Sequence, residues 1–325
     1  MFRDLNTAKS WKVKMAFTKR TAGYEKLKTA GFKALSLSAF ITLPAVLLLI
    51  AGCSNPSSQP LEQSAVSCDD KYADVLKNCV SDKGMVDYKN LKLRKSEISR
   101  LLDDFSRLDP NVYGSWSKED KIAFWLNAYN IKMLKIIVDN YPIQSQRILR
   151  VLWGPDSIRH IGDIWNEHKF IVINEEFTLK QIEQRFFRKE FDEPRIFLAV
   201  SYASTSSPPL RNEPYYGRRL YQQLDSQAGK FLSSPLAFRI DRENRVVYLS
   251  AIFHSSWFGD EFIGKYGTDK KFKDQEPSVR AVLNFAVNYI SGQDCSFLEI
   301  ENYSVKYMTY DWNINDSSPS VNNQF

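Results

Sequence analysis

The sequence predicts an α+β fold, a single globular domain of mixed helices and hairpins over residues 68–314, behind an N-terminal targeting segment. Three observations carry this expectation. Helical and alternating periods follow one another irregularly, without strand–helix–strand succession and without an internal repeat. At 43% hydrophobic and 14% aromatic residues, the 325-residue chain has ample core material, which excludes global disorder. Charge is segregated: residues 1–52 hold nine of the 44 basic and two of the 38 acidic residues. The rest therefore holds 35 basic against 36 acidic residues, and the body has no electrostatic case for nucleic acid.

The N-terminus reads as a lipoprotein signal peptide over residues 1–52, with Met15 as an alternative start. A basic region (Lys12 to Lys33) precedes an apolar one, Ala34–Gly52, that is short and interrupted by Pro44. Its end, Leu49-Ile50-Ala51-Gly52-Cys53, resembles the lipobox of bacterial lipoproteins. That resemblance implies cleavage before Cys53 and acylation, palmitate included, of its thiol and new amino group; an uncleaved anchor is the alternative. Ser54 in place of Asp implies outer-membrane sorting, facing the periplasm. Ser54–Ser67, rich in Ser, Pro and Gln, is expected to form with Cys53 a flexible tether of roughly 20 Å.

Cys68, Cys79 and Cys295 remain. Tyr72, Val75, Leu76 and Cys79 fall at helical spacing, and 11 helical residues span about 16 Å, too far for a Cys68–Cys79 bridge. A bridge from Cys295 to either, or none, stays open.

Along the body, Arg94–Leu108 predicts an amphipathic helix ended by Asp109-Pro110. Ser117 and Asp120 form a capping box for a helix reaching Asp139, apolar around most of its circumference and hence buried on several sides. Phe170–Phe177 predicts a hairpin turning at Asn174-Glu175, and Thr178 caps a helix to about Arg188. Arg195–Ser201 reads as a buried strand, Ala237–Ser250 as a hairpin around Arg242-Glu243-Asn244. Ser278–Ile290 predicts a helix stopped by Gly292, then a strand from Ser304 to Tyr310 and a polar tail, residues 315–325.

No glycine-rich phosphate loop, His-Glu-x-x-His or Cys-x-x-Cys is present, and no cofactor is expected. His160 and His168, with Asp163 and Glu167 nearby, are either metal ligands or solvated loop residues. His254, after the apolar Leu249–Phe253, is the best general-base candidate, against a hydrogen-bonded histidine at a strand end. Asn127 and Asn130 share one face of a buried helix, so both amides need polar partners, either loop backbone or a ligand.

Several motifs resemble the bacterial family called domain of unknown function 547. They are WLNAYN (125–130), Tyr141-Pro142-Ile143, FTLKQIE (177–183), Pro194-Arg195-Ile196 and SPPLR (207–211). Val247–Phe253, Tyr310–Asn315 and Gly84–Tyr88 are similar too, extending the likeness over about 84–315. The resemblance implies no established activity. The family pattern places two His and two Cys where this chain has Gln184, Phe197, Tyr202 and Ser207. Those four would form either a Cys-His thiol site or a nitrogen–sulfur metal site. Here all four are replaced together. A straight strand would place positions 197 and 202 on opposite faces, so the strand must end or bulge between them for a Cys-His pair to form.

The row Ser204-Thr205-Ser206-Ser207 before Pro208-Pro209 is thus expected to satisfy backbone donors, with Phe197 and Tyr202 filling the former polar space. Glu183, Arg195, Arg211 and Asp311 stand where the family has them; the arginines either line an anion-binding cleft or pair with Glu183 or Asp311. Two functions follow. One is a membrane-anchored envelope lipoprotein whose domain binds a peptide, glycan or protein without catalysis, in a cleft of Asn127, Asn130, Glu183, Arg195, Tyr202 and Arg211. The other is a hydrolase or transferase using Ser207 with His254.

Overall fold

The helix Lys118–Asp139 is the element around which the rest is built. Ser117 Oγ accepts from the Asp120 backbone N–H at 3.1 Å, as a cap should; the Asp120 carboxylate receives the Ser117 hydroxyl rather than closing the box on backbone. Fifteen of its side chains are buried, so it is enclosed on several sides as its apolar circumference foretells. Helix Lys95–Ser106 packs along it with Ile98, Leu101 and Phe105 inward. Trp125 stacks on Phe186 at a ring separation of 3.7 Å and donates its indole N–H to the Tyr113 hydroxyl at 2.9 Å.

The computed structural model describes residues 62–144 and 149–318, less the side chains of 62–69, 150–151 and 255–258. These residues lie in one compact unit of helices and small sheets, an α+β domain. The signal peptide, Cys53, the tether up to residue 61, the Cys68 side chain and the tail beyond 318 lie outside the described residues. The first helix begins at Glu62, inside the expected tether. Cys79 and Cys295 are both free thiols, so no bridge joins them. No helix among the described residues is long and apolar enough to cross a membrane.

Two small sheets flank the helices. Strands β1 (Phe170–Val172) and β2 (Glu175–Phe177) pair antiparallel, with Val172 opposite Glu175. The turn is therefore Ile173-Asn174, one residue earlier than expected. Both residues adopt φ near +50 to +60°, and their N–H groups donate to the carbonyls of Phe105 and Ser106 at 3.1 Å. Docking onto the end of that helix, rather than turn propensity, sets the register. Strands β3 (Phe238–Asp241) and β4 (Val246–Leu249) form the expected second hairpin, and β5 (Ser304–Tyr307) adds parallel to β4.

Three expectations are corrected. Arg195–Ser201 is not a strand: Ile196–Ala199 is one helical turn, followed by extended Val200. A short apolar run carries no period that separates the two. Gly292 does not merely end a helix; Pro277–Ala286 stops earlier, and Gly292 opens the next helix, capped by Ser291 Oγ to the Asp294 N–H. Asn315 is no tail residue. It is buried, accepts from the Tyr88 hydroxyl at 2.9 Å and donates to the Gly84 carbonyl at 3.2 Å.

The segment 311–317 is a strap that stitches three loops. Thr205 N–H donates to Asn313 O at 2.8 Å, Ile314 N–H to Asp156 O at 2.9 Å and Val86 N–H to Asn315 O at 2.9 Å.

Candidate functional site

The helical turn Ile196–Ala199 and the loop after it bring Phe197, Tyr202 and Ser207, three of the four departures from the family pattern, into the protein, while Gln184 stays outside. Phe197 is 4% exposed, set edge-on to Phe187, with the Arg188 guanidinium 4.5 Å over its ring. Tyr202 is 5% exposed, and burial pushes its hydroxyl ionisation well up. Gln184 points outward from a π turn, Glu183–Phe187. Because 196–199 is helical, the opposite-face problem of a straight strand does not arise.

Each hydroxyl in the row is matched. Ser201 Oγ accepts from the Ala203 N–H at 3.2 Å, Ser204 Oγ meets the Tyr310 hydroxyl at 2.7 Å and Thr205 Oγ1 donates to Asn313 O at 3.1 Å. Ser206 Oγ accepts from the Asp311 N–H at 2.9 Å. Ser207 Oγ accepts from the Tyr202 N–H at 2.8 Å and donates to Pro208 O at 2.9 Å. The last proton is thereby directed at a carbonyl, not at a base. His254 is exposed and sits with its ring 5.2 Å from that of Tyr307, beyond the β3–β4 hairpin.

The two helix amides serve backbone. Asn127 Nδ2 donates to Tyr215 O at 2.9 Å while its Oδ1 accepts from the Tyr215 N–H at 2.9 Å. Asn130 Nδ2 donates to Ala199 O at 3.1 Å and its Oδ1 accepts from the Ser201 N–H at 2.8 Å. One turn of helix thus positions two loops, the loop-backbone alternative rather than a pocket wall.

The charged candidates are also engaged. Glu183, buried, accepts from the Tyr129 hydroxyl at 2.8 Å and from Lys180 Nζ at 3.0 Å. Arg195 grips the Glu193 carboxylate at 2.7–2.8 Å and Asp225 at 2.6 Å. Burial pushes Glu193 upward, yet the Arg195 bonds outweigh it and hold the carboxyl below its ordinary value. Arg211 pairs with Glu213 at 2.5 Å. Neither arginine meets Glu183 or Asp311; the Asp311 carboxylate accepts from the Asn313 N–H at 2.9 Å. Asn127 and Arg211 both reach Tyr215, Asn130 holds the Ser201 N–H beside Tyr202, and Arg195 sits apart on Glu193 and Asp225.

His160 places Nε2 at 2.7 Å from the Gly154 carbonyl, so that nitrogen carries the proton, while its Nδ1 is buried and unpaired. No group of three His, Cys, Asp or Glu among the described residues is arranged to hold a metal. An open cavity of about 390 Å³ lies beside the Tyr141-Pro142 bend and His160.

Sequence reasoning missed Arg159. Its guanidinium lies 4.7 Å over the Trp312 ring and 5.9 Å over that of Trp153. Trp153 and Arg159 lie in single short helical turns and Trp312 is remote in sequence, so no periodicity marks them.

Residues 113–232 match the family model described as "Protein of unknown function, DUF547". The match is narrower than the resemblance read along 84–315 and leaves His254 and the strap outside it. Comparison with curated proteins and with solved structures gave no match. Over the matched segment, which carries Asn127, Asn130, Gln184, Phe197, Tyr202, Ser207 and Arg211, the chain resembles the domain of unknown function 547 family.

Proposed function

We propose that this chain is a lipid-anchored protein of the bacterial cell envelope whose domain binds a peptide, glycan or protein ligand without catalysing a reaction. The observation that carries the non-catalytic part is the Ser207 hydroxyl, fixed between the Tyr202 N–H and the Pro208 carbonyl. A serine becomes nucleophilic when an adjacent base takes its proton, and this proton already has another acceptor. The alternative, a hydrolase or transferase using Ser207 with His254, loses its support with that geometry.

The anchor rests on Leu49-Ile50-Ala51-Gly52-Cys53, and on Ser54 for delivery to the outer membrane. Several acyl chains, each contributing about 0.8 kcal/mol per buried methylene, would hold the protein on the bilayer. Expression of the full chain in a bacterium fed an alkyne-tagged palmitate tests this. Labelled protein in the outer-membrane fraction, and none from Cys53→Ser, is the expected result. Unlabelled wild type, or label that survives Cys53→Ser, contradicts the anchor.

A further inference from the structure

Several arginines over aromatic rings also hold an acid: Arg185 meets Glu175, Arg195 meets Glu193 and Arg211 meets Glu213. Arg159, like Arg218 and Arg239, holds none among the described residues. Its backbone N–H donates to Ser157 Oγ at 3.3 Å, but among the described residues its guanidinium has no hydrogen bond and no ion pair. Its nitrogens keep some access to solvent, while the guanidinium carbon lies over the Trp312 indole. Burial acts on it without any neighbouring carboxylate to offset the loss of water.

The stack is held in place before any ligand arrives. Ile158 N–H donates to Trp312 O at 3.0 Å and Ile314 N–H to Asp156 O at 2.9 Å, so the Arg159 loop and the strap bearing Trp312 are laced together. The Tyr310 ring, 4.4 Å from that of Trp312, backs the indole. A half-desolvated, preorganised guanidinium fork loses little entropy on forming two parallel bonds.

We propose that Arg159, between Trp153 and Trp312, recognises a carboxylate group on the domain's ligand. The inference rests on the binding reading above and gives it a place and a chemistry. A carboxylate matches the fork bidentately and matches its single charge. Among the described residues no second cation is part of the stack, so a phosphate dianion would be left half-compensated. A peptide C-terminus and an acidic sugar both offer the required group.

The test uses unlipidated full-length Cys53→Ser protein, labelled with ¹⁵N, and follows the arginine Nε–Hε resonances. Loss of one resonance in Arg159→Lys assigns Arg159. N-acetyl-alanyl-alanine, glucuronate and inorganic phosphate are then titrated separately. At least one carboxylate should shift the Arg159 resonance saturably, the more effective one naming the source. Arg159→Gln, with an unchanged Tm, should weaken that binding at least about tenfold. No shift with either carboxylate, equal binding by Arg159→Gln, or tighter binding of phosphate overturns the proposal. Those failures leave the non-catalytic reading intact, because that reading stands or falls on the reactivity of Ser207.

Discussion

The Ser207 hydroxyl accepts a hydrogen bond from the Tyr202 backbone N–H at 2.8 Å, five residues back along the same loop. With its own proton given to Pro208 O at 2.9 Å, this side chain closes the turn. Ser207→Ala would leave a buried N–H without a partner and should lower stability by about 1–3 kcal/mol, read from urea unfolding. A replacement that leaves stability unchanged would show that the turn does not depend on the hydroxyl.

Asn130 is expected to be more costly to lose. Truncation to Ala orphans both the Ala199 carbonyl and the Ser201 N–H, and should destabilise by about 2–4 kcal/mol. Asn130→Asp should be no milder, because it sets an oxygen against the Ala199 carbonyl. Thermal and urea unfolding of both variants measure this.

Gly84 should tolerate no side chain. Its φ is +79°, and a Cβ there would collide with Pro209 of the Pro-Pro pair. Gly84→Ala combines left-handed strain with overpacking, so a loss of at least about 2 kcal/mol is expected in the same unfolding assay.

Acid should unfold the protein partly through Glu213. Burial pushes its carboxyl up, but hydrogen bonds from Arg211, Gln223 and Arg219 outweigh this and hold it down at about 2, below the ordinary 4.5. A depressed carboxyl contributes stability above its unfolded value, and that contribution is lost as pH falls from about 4.5 toward about 2. Tm measured against pH should therefore fall less steeply across this window in Glu213→Gln than in wild type, from a lower plateau at neutral pH. Parallel curves would remove Glu213 from the account.

Much of this was legible in residue types whose role is local. Ser117 and Thr178 announced their caps, the apolar circumference of 118–139 its burial, and Asn127 with Asn130 the need for buried partners. In the serine row before Pro208, Ser206 and Ser207 satisfy backbone donors as expected, whereas Ser204 meets the Tyr310 hydroxyl and Thr205 donates to the Asn313 carbonyl. What stayed hidden depends on tertiary contact. Ile196–Ala199 is too short for its apolar run to show a period, and only packing decides that it coils. Asn315 looks like a tail residue until Tyr88 and Gly84 are found around it. Arg195 and Arg211 were expected to line an anion-binding cleft or to pair with Glu183 or Asp311; the fold pairs them instead with Glu193, Asp225 and Glu213.

The most direct test of the central claim is treatment of the folded, unlipidated full chain with a fluorophosphonate probe, followed by mass spectrometry of the peptide holding Ser207. The account predicts no adduct on Ser207 beyond that of the Ser207→Ala control. A stoichiometric adduct on Ser207 that disappears in His254→Ala would contradict it and restore a serine nucleophile to this loop.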